Sequence, residues 1–468
     1  ADHMVGATGV LQNPKSVLSQ TEFQRWEEAK KSYDKPVIIR TQSEAEKLEK
    51  GRSKEKKSWI YHAENVRDFA WTSSRKLIWD AMAVKQQNRD VMAMSYYGKE
   101  GNPLWEQYST KVVAHTIKSY GAKTFDYPYP VAISVEASNG MEYPMICFNY
   151  GRPDADGTYS DAVKYGMISV IIHEVGHNFF PMIVNSDERQ WTWMDEGLNT
   201  FMQFMAEQEW DRNYPSRRGP AHKIVPYMRS EKHLLEPIMT NSENIIQFGP
   251  NAYAKPATAL NILRETVMGR DLFDFAFKQY AQRWMFKHPT PDDFFRTMED
   301  ASAVDLDWYW RGWFFKTEPV DISLESVNWF KLDNRSPAEK KSEAKKDFER
   351  EESYVSKNNN LKDNPRTVVE SDPATRDFYN SYNPFSVTPD DEKSYSDFVA
   401  RLSPKEKELL NSNLNFYELR FKNIGGINMG NIYGGNPKEE ASIGGLRANA
   451  AAFIVNLSFF TGIGLLFA

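Results

Sequence analysis

Residues 173–177 read His173-Glu174-Val175-Gly176-His177, and residues 193–201 read Trp193-Met194-Asp195-Glu196-Gly197-Leu198-Asn199-Thr200-Phe201. Both stretches carry helical spacing of apolar residues. Met167, Val170, Ile171 and Val175 mark the first, which stops at Pro181, and Leu198, Phe201, Met202 and Met205 continue the second. Two histidines four residues apart on a helix share a face and can grip one ion. Neutral imidazole suits zinc, and Glu174, one residue along, falls beside the open coordination position. Eighteen residues separate His177 from Glu196. A carboxylate from a second helix completes a metal set of two histidines and one glutamate, with a position left for water. Taken singly, each part has a plainer reading: helix histidines without a role, or an acid favoured by a helix start. Together they point to a site for one zinc ion on His173, His177 and Glu196, with Glu174 as the base.

Working outward, the 468 residues suggest two or three domains, and a hydrophobic share of 41% is ample for real cores. A net charge of -6 argues against a nucleic-acid binder that works by neutralising phosphates. The one cysteine, Cys147, excludes an internal disulfide and a multi-cysteine metal site. Residues 1–72 read as the end of a β-rich domain, with strand-like Val37-Ile38-Ile39 and Trp59-Ile60-Tyr61 around a Lys/Glu-rich insertion near Lys47 to Lys57. From 73 to 320, helical patterns dominate, interrupted by strand-like runs at Val91–Tyr96 and Val131–Val135, a texture that suggests α+β. Residues 321–468 begin as a charged linker or exposed helix and end in an uncharged run from Ala448 to Ala468. A strand pair is the expected form of that run, over a membrane tail anchor.

Three segments, in order, carry a resemblance to a known family. They are Asn139-Gly140-Met141-Glu142-Tyr143, then His173–His177 with Glu196 in its Trp-x-Asp-Glu-Gly context, then Asn251-Ala252-Tyr253-Ala254-Lys255-Pro256. The chain resembles, over about residues 60 to 320, the gluzincin metallopeptidases of the aminopeptidase N family. Asn139 and Tyr143 stand where the family motif has Gly and Asn, and Pro256 stands where it has Gly.

The resemblance implies a thermolysin-like, mainly helical catalytic domain with a small mixed sheet, flanked by partial β-rich regions. It implies removal of N-terminal residues from peptides by a metal-activated water. Glu142, with Gly140 and Met141, would receive the free amino terminus, and Tyr253 would donate to the oxyanion. Peptides with a free amino terminus are then the partners; no nucleic acid is expected, on the net charge above, and the location stays open, with a periplasmic or secreted one preferred. A zinc endopeptidase, a zinc-binding scaffold without turnover and a zinc hydrolase of another electrophile remain open. The aromatic cluster Trp308-Tyr309-Trp310, with Trp313 and Phe314, reads as core packing. His3, His62, His115, His222, His233 and His288 lack ligand spacing and read as structural or surface residues.

Overall fold

The computed structural model describes residues 2–87, 89–317, 327–331, 333–351, 354–412 and 415–419. The chain divides into two compact units. Residues 1–319 with 352–382 form the first, and 320–351 with 383–468 the second.

The first unit is built on a six-stranded sheet. Its strands are β1 (Val37–Arg40), β2 (Ile78–Lys85), β3 (Asp90–Tyr97), β4 (Val131–Glu136), β5 (Met141–Tyr143) and β6 (Ile146–Asn149), in the order β1-β2-β3-β4-β6-β5. The outer pairings β1/β2, β2/β3 and β6/β5 are antiparallel, while β3/β4 and β4/β6 are parallel. A parallel step needs a long crossover, and the 20-residue helix Leu104–Lys123 supplies it between β3 and β4.

Both faces of the sheet are covered, and adjacent residues of β3 show how. Tyr96 stacks on Trp79, which meets Trp26 of the helix Gln20–Ala29, with ring centroids 5.4 and 5.2 Å apart. Tyr97 turns to the other face and meets Trp105 of the crossover helix at 6.0 Å. A strand buried on both sides loses its polar alternation. Strand β2, whose Ile78-Trp79-Asp80-Ala81-Met82-Ala83-Val84 is buried throughout, is not among the strands expected from the sequence, although β3 and β4, buried in the same way, are. Its one buried charged residue, Asp80, accepts hydrogen bonds from the Tyr97 hydroxyl at 2.6 Å and from the Thr110 hydroxyl.

Residues 1–72 lie inside this unit. Met4–Ala7 pairs with Trp71–Ser74, Val10–Leu11 pairs with Tyr61–His62, and β1 edges the main sheet. The buried Arg40–Glu22 ion pair, at 2.6 Å, ties β1 to the helix Gln20–Ala29. Residues 352–382 return to the same unit, where Asp377 receives the buried ammonium of Lys164 at 3.0 Å and Glu370 pairs with Arg212 at 2.8 Å.

Four helices then place the site. Label as α1 the crossover Leu104–Lys123, as α2 Asp161–Gly176, as α3 Leu198–Trp210 and as α4 Lys255–Ile262. Helix α2 starts at Ser160, whose hydroxyl accepts from the Val163 N–H at 3.2 Å. It is apolar on most sides because it runs through the core between α1 and α3. Gly176 permits that packing: a Cβ there would sit 2.3 Å from Oδ1 of Asn199 on α3 and 2.4 Å from the Tyr120 hydroxyl on α1. The aromatic cluster near 308–314 does close this unit's core. Tyr309, Trp310 and Phe314 are buried and Trp310 stacks on Phe295 at 4.7 Å, whereas Trp308 faces solvent at 62% exposure.

In the second unit, Val327–Lys331 pairs antiparallel with Asn415–Leu419. The charged stretch after 336 forms the exposed helix Pro337–Glu351, whose Phe348 meets Phe385 at 5.5 Å. The run Ala448–Ala468, expected as a strand pair, lies outside the described residues. Among the described residues, no helix is long and apolar enough to cross a membrane.

Candidate metal centre

His173 lies in the last turn of α2 and His177 at its C-terminal cap. Their rings meet edge to face at 4.5 Å, with the two Nε2 atoms 3.0 Å apart. Glu196 enters from the turn Trp193–Gly197 that opens α3, and that turn is anchored by the buried Trp193, stacked on Phe295 at 5.9 Å. Glu196 Oε2 lies 2.9 Å from His173 Nε2 and 3.3 Å from His177 Nε2. The three donor atoms thus fall within 4.8 Å of one another.

The other atoms of these ligands are all engaged, which fixes what the converging atoms can be. His173 Nδ1 donates to Gln203 Oε1 at 2.8 Å, and Gln203 Nε2 donates onward to Glu207 Oε1 at 2.7 Å. His177 Nδ1 donates to the Phe180 carbonyl at 2.9 Å and lies 2.9 Å from Asp195 Oδ1 as an ion-pair contact. An imidazole that spends its N–H at Nδ1 presents a lone pair at Nε2. Two such lone pairs and a carboxylate oxygen facing one point call for a positive charge there. Nitrogen, nitrogen and oxygen donors of this kind, each with an outer partner, fit zinc. The surrounding carboxylates likewise draw positive charge to this point. Burial works against a charged His177, yet the carboxylates of Asp195, Glu142 and Glu196 hold its pKa well above the usual imidazole range. Burial also disfavours a charged Glu196, but His177 and His173 hold its carboxyl well below the ordinary value.

Glu174 is buried beside this centre, and its Oε2 has no hydrogen-bond partner. Burial pushes its pKa up to about 8, with Glu142, Glu196 and Asp195 adding to the rise and His177 opposing it. Gly140 packs directly on it, so that a Cβ at 140 would stand 2.3 Å from Glu174 Oε1. The resemblance places Gly140 with Glu142 at the amino terminus of the substrate; the close contact it makes here is with Glu174. Glu142, half-buried on the edge strand β5, brings a carboxylate oxygen within 4.8 Å of donor atoms of His177 and Asp195. Met141 is exposed at the cavity wall. The Tyr253 hydroxyl donates to Glu196 Oε1 at 2.7 Å, and its ring stacks over His173 at 5.7 Å.

A cavity of about 660 Å³ is lined by Gly140, Met141, Glu142, His173, Glu174, Glu196 and Tyr253. His177 sits behind it, fully buried. Every residue singled out from the sequence therefore gathers at one place. Four others at the site were not singled out. Asp195 precedes Glu196 and was passed over, although adjacency was a signal. Gln203 stands seven residues after Glu196, two turns along the same face, which was also readable. Glu207 and Arg218 carried no pattern that the sequence alone distinguishes.

Residues 108–313 match the Peptidase family M1 domain. Among curated relatives, the chain is 24% identical over 238 residues to "Probable aminopeptidase 1" of Sulfurisphaera tokodaii, covering 47% of this chain and 30% of that protein. It is 23% identical over 247 residues to "Aminopeptidase 2, mitochondrial" of Saccharomyces cerevisiae, covering 50% of this chain and 25% of that protein. The chain thus spans under a third of the length of these relatives. Among solved structures, a mutant of the M1 zinc metallopeptidase from Deinococcus radiodurans aligns with a TM-score of 0.47 at 13% identity, covering 69% of this chain and 63% of that one.

Proposed function

We propose that the chain is a zinc aminopeptidase that removes N-terminal residues from peptides, with a thermolysin-like arrangement of helices and sheet edge around the metal. One observation carries this reading: Glu142, Glu174, Tyr253 and the donor set of His173, His177 and Glu196 converge on one site. When bound there, zinc supplies a Lewis acid that polarises the scissile carbonyl and acidifies an attacking water.

The chain's own residues do the rest. Glu174 takes the water's proton on its unpartnered Oε2 and passes it to the leaving amine, acting as base and then as acid. The Tyr253 hydroxyl, held on Glu196 Oε1, turns its hydrogen bond to the oxyanion as charge develops. Among the described residues, strand β5 pairs on one side only, with β6, so its other edge can align an extended peptide. Glu142 on that edge pairs with the substrate's α-ammonium and so sets the cut one residue from the end. The test is a matched pair of alanyl peptides, one with a free amino terminus and one N-acetylated. Cleavage of the free peptide alone supports the reading, and equal cleavage of both replaces it with an endopeptidase.

A further inference from the structure

We infer that Arg218 is a subsite for a carboxylate carried by the residue that follows the scissile bond. This rests on the aminopeptidase reading and extends it to the leaving side of the substrate.

Arg218 lines the same cavity as the metal donors and is half-buried, with its guanidinium 4.3 Å from the centre of the Tyr253 ring. Among the described residues it makes no hydrogen bond or ion pair, so its fixed fork of five N–H donors meets no acceptor, and Glu196 and Glu207 attract it only at longer range. Another cavity arginine, Arg189, is by contrast paired with Glu243. The acid expected to hold Arg218 is Glu207 in the same wall, but Glu207 spends its hydrogen bonds on other partners and makes none to Arg218. Its Oε1 accepts from Ser169 Oγ at 2.8 Å and from Gln203 Nε2 at 2.7 Å, and its Oε2 accepts from Ser216 Oγ at 2.5 Å. A partly buried cation left with unspent donors is costly to the free protein, and a ligand that supplies the missing anion recovers that cost.

The site's sidedness says which part of a peptide meets Arg218. Glu142 lies on the His177 flank, its carboxylate near His177 and Asp195. Tyr253 stacks on His173, the other flank, and Arg218 lies over Tyr253. A peptide whose ammonium is on Glu142 and whose first carbonyl is at the metal runs on toward Arg218 only with its leaving residue. A planar guanidinium matches a carboxylate with two parallel hydrogen bonds. That carboxylate has two sources: the α-carboxylate of a dipeptide, or an acidic side chain on the second residue of a longer peptide.

Calorimetric binding to the zinc-loaded Glu174→Gln protein tests this without turnover, using Ala-Ala against Ala-Ala-amide and Ala-Asp-amide against Ala-Asn-amide. The expected result is a Kd lower by about ten-fold or more for the acid member of at least one pair. The first pair reports the α-carboxylate and the second the side chain. Adding Arg218→Met should bring the preferred pair's ratio to about one, while Arg218→Lys should keep part of the preference. A change that weakens both members equally marks a structural role and overturns the inference. So does the absence of preference in either pair with Arg218 in place. A preference in binding, with no cleavage of any of the four by the wild-type protein, would instead refute the aminopeptidase reading and leave the carboxylate subsite standing.

Discussion

The hydroxyl of Tyr253 donates to Oε1 of Glu196 at 2.7 Å, while Oε2 of the same carboxylate faces the two histidine Nε2 atoms at 2.9 and 3.3 Å. One carboxylate thus joins the metal donors to the proposed oxyanion donor. Tyr253→Phe removes a hydrogen bond outside the metal's donor set and leaves Oε2 in place. Zinc stoichiometry is expected to stay at one, while kcat on an aminoacyl anilide falls about 100-fold or more with KM little changed. A KM effect alone would place Tyr253 in substrate binding and not at the developing charge.

Gln203 connects His173 Nδ1 to Glu207. Gln203→Ala leaves that imidazole free to turn and to exchange tautomers, so zinc affinity should fall about 10- to 100-fold. Titration against a competing chelator reads it directly. An unchanged zinc Kd would show that the packing of α2 alone holds the ring.

Away from the metal, Asp80 is fully buried under the sheet and its pKa is pushed up to about 7 by that burial, with the Thr110 and Tyr97 hydroxyls opposing the rise. Its unfolded value is near 3.8. Between about pH 4 and about 7 the folded protein therefore keeps a proton that the unfolded chain has released. This contribution to stability is fully present below about pH 4 and is lost as pH rises to about 7, a change on the order of 4 kcal/mol. Denaturant titrations of wild type and Asp80→Asn across that range should diverge in slope, with the variant lacking this fall. Parallel curves would mean that Asp80 titrates as an ordinary carboxyl.

The metal set was readable from sequence because its geometry is local: a four-residue helical step and a short excursion to the next helix put three donors together. Glu142 and Tyr253 were readable only through motif likeness, since nothing in their own spacing says that β5 and the turn before α4 reach the metal. Strand β2 went unread although β3 and β4, buried on both faces like it, were legible. Gln203 and Asp195 act through ligand atoms that no pattern displays, and Arg218 acquires its place from a loop with no periodicity. The sequence division at 72 followed a change in composition. Contacts do not follow it, because β1 joins the main sheet through backbone pairing with β2.

The central claim is that Glu174 performs the proton transfer beside a zinc ion held by His173, His177 and Glu196. Its most direct test is the Glu174→Gln protein, with zinc content and anilide hydrolysis measured on the same sample. One zinc per chain is expected, as in wild type, with kcat reduced about 100- to 10,000-fold. Full zinc occupancy with activity retained would contradict it.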